Sequence, residues 1–130
     1  MKTNLSVKVG TLEFDSPIIP ASGVWPYEAE FWSGDKISGL GAACTKAISL
    51  NPRKGNSGIR IWETPSCVLN SIGLQNSGVQ GFIKKYHKIV SASPLPAIAN
   101  VVMEREEETD ETLSRIQDAG GIAAAELNIS

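Results

Sequence analysis

Leu95-Pro96-Ala97-Ile98-Ala99-Asn100-Val101-Val102, followed by the periodic segment Thr109 to Ala119 and by Ile122-Ala123-Ala124-Ala125-Glu126-Leu127-Asn128, is the stretch that decides the fold. Leu95 to Val102, interrupted only by Pro96 near its start, reads as a buried strand that contains Asn100. From about Thr109, Leu113, Ile116 and Ala119 recur at helical spacing, and Gly120-Gly121 stand where a helix C-cap favours glycine. The acidic run Glu104 to Glu111 before that helix favours its positive N-terminus and otherwise reads as a solvated face. Ile122 to Leu127 is a second strand of small apolar residues that delivers Asn128 and ends at Ser130. Apolar strands joined by amphipathic helices imply an α/β fold with a parallel sheet covered by helices.

The same alternation extends toward the N-terminus. Ser77 is placed as an N-cap, and Val79, Phe82, Ile83, Tyr86 and Val90 follow at helical spacing with lysines between them. Leu40 to Thr45 reads as a compact buried strand ending in one cation, Lys46. Pro17-Ile18-Ile19-Pro20-Ala21 reads as a short buried strand running into the turn Ser22-Gly23. Pro26 and the segment Tyr27 to Trp32 predict a helix ending near Gly34. Leu5 to Lys8 and Leu12 to Phe14 alternate around Gly10, the pattern of a small β-hairpin that closes one end of the fold. Between the second strand and the Ser77 helix lies an excursion. A polar loop, Asn51 to Ser57, leads into two short extended pieces, Ile59 to Glu63 and Cys67 to Asn70, around Thr64-Pro65. At its far end is Leu69-Asn70-Ser71-Ile72-Gly73-Leu74-Gln75-Asn76, dense in carboxamides and built to offer hydrogen bonds.

The chain has 130 residues, 12 Lys and Arg against 14 acidic residues and a net charge of −2, so it carries no basic field to draw nucleic acid or an anionic membrane. Met1 to Ser6 lack the apolar run of a secretory signal, and no stretch approaches the ~20 apolar residues of a membrane span, which reads as cytoplasmic. Cys44 and Cys67 fit no metal spacing, and both read as packing residues. His87, beside Lys84, Lys85 and Lys88, reads as part of a solvated helix face.

Ser22, Lys46, Asn100 and Asn128 each fall at or just beyond the C-terminal end of a predicted strand, the edge where parallel α/β folds bind ligands. One lysine with several carboxamides, a serine and glycine-rich turns suits a planar heterocycle rich in N–H and C=O groups, such as a flavin or a pyrimidine. Neither a Rossmann nor a P-loop phosphate motif is present, and no metal cluster is evident.

Pro20-Ala21-Ser22-Gly23, Thr45-Lys46, Asn51-Pro52-Arg53 with Gly55-Asn56, Glu63-Thr64-Pro65, Leu69 to Asn76, and Glu126-Leu127-Asn128-Ile129-Ser130 together resemble the N-terminal half of class 1 dihydroorotate dehydrogenase. They occur in that family's order across essentially the whole chain. The form Ile72-Gly73-Leu74-Gln75-Asn76 is more similar to the NAD-linked class 1B branch than to the fumarate-linked 1A branch. The resemblance implies that residues 1–130 are the N-terminal half of a TIM (β/α)8 barrel preceded by the small hairpin, with FMN at the C-terminal face. It implies FMN contacts from Ser22, Lys46, Ala47, Asn100 and Asn128. It also implies dihydroorotate or orotate contacts from Lys46, Asn70, Ser71, Ile72, Gly73, Leu74 and Asn128. The implied reaction removes a proton from C5 of dihydroorotate and passes a hydride from C6 to flavin N5, within pyrimidine biosynthesis. Implied partners are a second copy of the chain and an electron-transfer subunit with FAD and an iron-sulfur cluster.

In the relatives the Glu-Leu-Asn-Ile-Ser motif runs on into Cys-Pro-Asn, whose cysteine is the general base, whereas this sequence stops at Ser130. The family often has a small glycine-containing turn where this chain has Val101-Val102-Met103. A closed barrel needs about 250 residues. The expectation is therefore four of eight strands, truncated before the catalytic base, and no turnover by these residues alone. Two alternatives stand beside it: a flavin barrel like that of dihydropyrimidine dehydrogenase, and a non-catalytic half-barrel that docks to another chain.

Overall fold

The computed structural model describes residues 4–130, so the reading of Met1 to Thr3 lies outside the described residues. In chain order they form β1 (Val7–Val9), β2 (Leu12–Phe14), two 3-10 turns (Ala29–Trp32 and Gly34–Ile37), β3 (Ala43–Cys44), β4 (Ile61–Glu63) and β5 (Val68–Asn70). There follow α1 (Gly78–Phe82), a π-helical stretch (Ile83–His87), α2 (Lys88–Ser91), β6 (Ala97–Val102), α3 (Glu106–Ala119) and β7 (Ala124–Asn128).

The centre is a parallel sheet in the order β3-β6-β7, with Cys44 opposite Ile98, Asn100 opposite Glu126 and Val102 opposite Asn128. Strand side chains alternate between faces. Ala43, Ala97, Ala99 and Val101 therefore share one face, where they form a single core with Val79, Phe82 and Val90, with Ile116 of α3 and with Trp32. Small residues in the strands let the helices approach closely, and Ala99 and Val101 are both 0% exposed. The opposite face receives Cys44, Ile98, Asn100, Val102, Ala124, Glu126 and Asn128.

β1 and β2 pair antiparallel, as do β4 and β5, with Trp62 opposite Leu69. The β4–β5 hairpin stands away from the core. Ile61, Trp62, Val68 and Leu69 are all more than half exposed. No helix among the described residues is long and apolar enough to cross a membrane.

Several expectations need correction. Residues 17–21 form no regular strand, and Ile18 is 59% exposed rather than buried. Pro17 and Pro20 have no N–H to give a ladder. The segment still lies along β3, accepting hydrogen bonds at Ile18 O from Gly41 N (2.9 Å) and at Pro20 O from Cys44 N (3.2 Å). The predicted helix from Tyr27 to Trp32 is a pair of 3-10 turns, broken by an extended Ser33 and by Gly34 at φ +60°. Two indoles hold that shape: Trp25 Nε1 donates to Phe31 O (3.1 Å) and Trp32 Nε1 to Pro26 O (2.8 Å). α3 begins at Glu106, so much of the acidic run lies inside its first turns rather than ahead of it. Cys67 is exposed at the hairpin tip beside the Thr64 hydroxyl and does not pack. His87 is half-buried, with Nε2 at 2.7 Å from Gly120 O, so it fastens the helical run to the end of α3 instead of facing solvent.

Candidate functional site

β3 does not stop cleanly. Ala43 N donates to Pro96 O (3.0 Å) and Thr45 N to Ile98 O (2.9 Å), which is the two-residue step of a parallel ladder. The next bond on β6 comes from Ile48 N to Asn100 O (2.8 Å), three residues further along the first strand. The extra residue is a bulge at Lys46-Ala47, a device that re-aims side chains where a strand leaves its sheet. Lys46 is half-buried there, and no carboxylate lies within ion-pair distance of it among the described residues. Its charge is free to meet an anion.

On the sheet face opposite the helices, the carboxamides are already organised. Asn100 is buried, its backbone N–H donating to Thr45 Oγ1 (3.1 Å) and its Nδ2 to Glu126 Oε1 (2.5 Å). Asn128 Nδ2 donates to Asn100 Oδ1 (3.3 Å), while Asn128 Oδ1 accepts from Ser130 N (3.1 Å) and Ser130 Oγ (2.5 Å). Cys44 Sγ lies 3.5 Å from the same Glu126 oxygen. Burial first, and then the neighbouring carboxylate, push its thiol up to about 12, so near neutrality it is a protonated donor and unsuited to act as a base. Among the described residues no three His, Cys, Asp or Glu side chains gather to hold a metal ion.

The amide-rich segment and the polar loop before the hairpin are one unit. Arg53 and Asn76 exchange backbone hydrogen bonds (2.9 and 3.0 Å), and Asn56 N donates to Ile72 O (3.0 Å). Asn56 Nδ2 adds bonds to Ser71 O (3.2 Å) and Ser71 Oγ (2.8 Å). The approach is so close that three glycines have no room for a side chain. A Cβ at Gly55 would sit 2.5 Å from Ile72 O, one at Gly73 2.5 Å from Asn56 Oδ1, and one at Gly78 2.8 Å from Pro52 N. Leu74 sits beside them in the left-handed region (φ 51°), where a side chain is strained. The Arg53 guanidinium fastens the pair of loops to the end of β6 through a two-pronged bond to Glu104 (2.7 and 2.6 Å), and that bond holds the Glu104 carboxyl below its ordinary range.

Asn76 has a different job from the one its sequence suggests. Its Oδ1 accepts from Gly78 N (2.7 Å), capping α1 in place of the expected Ser77, whose hydroxyl makes no cap bond. Its Nδ2 donates to Leu74 O (2.8 Å) and Ser49 Oγ (2.9 Å). With both ends occupied, Asn76 is a structural pin and has little left for a ligand. Asn70 and Ser71 remain exposed, and Ile72, Gly73 and Leu74 are half-buried.

Lys46 and Ala47 also open onto a cleft of about 480 Å³ with Tyr27, Phe82, Tyr86 and Asn76 in its wall. The Tyr27 and Tyr86 rings stack there at 4.2 Å. The structure thus brings Asn100 and Asn128 into one hydrogen-bonded group and sets Lys46 and Ala47 on the bulge beside it. Ser22 lies half-buried in the turn after residues 18–20. Glu126, Thr45, Arg53 and Asn56 stand in the motifs that carry the family resemblance, but the sequence assigned them no role at the site. For Glu126 a signal existed: it stands two residues before Asn128, and therefore on the same strand face.

The donor set fits a planar heterocycle with carbonyl and amide edges: carboxamide N–H groups at the strand ends, one uncompensated cation, and backbone brought close by glycines. The chain is 42% identical over 130 residues to the catalytic subunit of dihydroorotate dehydrogenase B (NAD(+)) from Desulforamulus reducens, covering 100% of this chain and 43% of that protein. It is 44% identical over 127 residues to an Aquifex aeolicus protein assigned provisionally as dihydroorotate dehydrogenase A (fumarate), covering 98% of this chain and 42% of that one. The chain therefore spans less than half the length of these relatives. A dihydroorotate dehydrogenase from Eimeria tenella, solved in complex with ferulenol, superposes with a TM-score of 0.75 at 19% identity, over 98% of this chain and 37% of the other, and shows the fold alone. The family model for dihydroorotate dehydrogenase matches residues 4–130, and the chain belongs to that family.

Proposed function

We propose that this chain supplies part of the FMN and pyrimidine site of a dihydroorotate dehydrogenase that oxidises dihydroorotate to orotate. The sheet of residues 18–20, β3, β6 and β7 is read as four consecutive strands of a (β/α)8 barrel, preceded by the β1–β2 hairpin. The observation that carries the proposal is the hydrogen bond (3.3 Å) that joins Asn128, at the C-terminal end of β7, to Asn100 within β6, with Lys46 on the bulge that ends the neighbouring β3; such barrels bind their ligands at the C-terminal ends of their strands. Ser22, Lys46, the Ala47 backbone, Asn100 and Asn128 would hold the flavin, and Lys46, Asn128 and the segment Asn70 to Leu74 would hold the pyrimidine.

Bound FMN supplies the hydride acceptor for C6 of dihydroorotate. The protein's part is electrostatic and geometric. Lys46 offsets the negative charge of the pyrimidine carboxylate or of reduced flavin, and the carboxamides orient the rings. Cys44, with its raised pKa, is not the base that takes the C5 proton, and the cysteine that follows the Glu-Leu-Asn-Ile-Ser motif in the relatives is suited to that role. The B-type, NAD-linked catalytic subunits among the relatives support NAD as the final acceptor; the rest of our reading is a cytoplasmic homodimer served by a partner subunit with FAD and an iron-sulfur cluster.

The test is copurification of a yellow flavin identified as FMN, followed by orotate titration watched in the flavin absorbance. Lys46→Ala is expected to weaken orotate binding by about ten- to hundredfold, the scale of a lost hydrogen bond to a charged group. A protein that carries no flavin and takes none up would defeat the proposal.

A further inference from the structure

We infer that Glu126 is a positioning residue that fixes the direction of the carboxamide chain, so that the site meets its ligand with N–H donors. The inference rests on the reading of Asn100 and Asn128 as ligand contacts. It starts from a chemical asymmetry: an ionised carboxylate only accepts hydrogen bonds, whereas a carboxamide can turn either end toward a neighbour.

Glu126 Oε1 lies 2.5 Å from one end of the Asn100 carboxamide, so that end must be the NH2. With its nitrogen toward Glu126, Asn100 turns its oxygen to Asn128, which must answer with its own NH2 at 3.3 Å. The Asn128 oxygen is then left for Ser130, whose N–H and hydroxyl fill both of its lone pairs. Reversing either amide would set oxygen against oxygen or nitrogen against nitrogen along the chain. The Cys44 thiol, donating to the same Glu126 oxygen, helps to hold the carboxylate in place.

The outcome is a defined edge. Asn128 keeps one free N–H and no free lone pair, and Asn100 keeps one further N–H. A ligand edge that presents carbonyl oxygen or an unprotonated ring nitrogen fits this array, and an N–H edge meets Asn128 donor to donor. Glu126 thereby acts on ligand choice through two side chains, and need not touch the ligand itself.

The experiment compares the flavin-loaded protein with Glu126→Gln and Glu126→Asp. The carboxamide introduced by Glu126→Gln can donate as well as accept, which releases the direction of the chain, whereas the shorter carboxylate of Glu126→Asp still only accepts. FMN affinity is expected to fall about ten- to hundredfold in Glu126→Gln, with a shifted flavin absorbance band, and to be largely restored in Glu126→Asp. A folded Glu126→Gln protein with wild-type affinity and band overturns the inference. A second readout needs no variant: in the wild-type protein, one Asn100 side-chain amide proton is expected far downfield and slow to exchange. Both Asn100 protons at the positions of exposed asparagines would equally overturn it. A wild-type protein that holds no flavin would instead sink the functional reading, and the Asn100 signal would still decide the role of Glu126.

Discussion

The two β structures at the middle of this chain are built on opposite terms. β6 is a strand of six residues with four of them at 6% exposure or less on its apolar positions alone, covered by helices on one face and bearing Asn100 on the other. The β4–β5 hairpin has three residues per strand, and all six are exposed. β6 is held by burial of apolar area, worth about 25 cal/mol per Å², while the hairpin is held by its own ladder and by the bonds of the loops at its base. The difference teaches where sequence changes will be felt: in β6 every side chain is answerable to a neighbour, and in the hairpin few are.

The largest expected effect tests that contrast directly. Val101→Asp places an unpaired charge in the core and is expected to cost roughly 3–5 kcal/mol or more, seen as loss of the cooperative urea transition. If Val101→Asp unfolds with the wild-type midpoint, the core assignment is wrong.

Next in size is Gly73→Ala. The added Cβ meets Asn56 at 2.5 Å and the backbone is at φ +75°, so a cost of about 1–3 kcal/mol is expected, with faster amide exchange in the two loops. Unchanged exchange at Asn56 and Ile72 would show that the loops are not joined as described.

A smaller effect appears in alkali. Burial raises Tyr27 to about 12 from 10.0, with the Thr45 hydroxyl and the Lys46 backbone pulling it back, and Cys44 is likewise raised to about 12 from 9.0. The folded state therefore keeps protons that the unfolded chain gives up. Stability is full below about pH 9 and falls as pH climbs toward 12. Tyr27→Phe removes one of these groups, and its alkaline unfolding midpoint, followed by circular dichroism, is expected to move upward.

The smallest effect belongs to the hairpin. Trp62→Ser, at a position 58% exposed, is expected to change stability by no more than about 0.5 kcal/mol in the same urea assay. A loss comparable to that of Val101→Asp would erase the distinction between the two β structures.

What the sequence made legible follows the same division. Leu95 to Val102 and the Leu113/Ile116 spacing announce a strand and a helix because burial imposes a pattern on side chains, whereas Ile122 to Leu127 is legible as a strand from its apolar composition although no residue of β7 is fully buried. The turns at Ala29–Trp32 do not announce themselves, since they are set by two indole N–H groups reaching backbone carbonyls six residues away along the chain. The bulge at Lys46-Ala47 is equally silent: it exists only relative to the ladder of β6. Near the site, Asn128 closes β7 as its place after the apolar run suggests, whereas Asn100 lies inside β6, two residues before the strand ends, and not at its edge. Asn76 misleads because a carboxamide suits a ligand and a helix cap equally well. Glu126 was visible in the alternation, but its role depends on the carboxamide across the sheet.

The three glycines that let the loops meet have a further consequence. Gly55, Gly73 and Gly78 are fixed by steric necessity, independently of which molecule the site receives. The steric demand falls on the three positions and not on the chain between them, so the exposed hairpin from Ile61 to Asn70 is free to change its length while the glycines stay. Glycine at all three contacts is thus a mark of the loop architecture that does not depend on the chemistry at the site.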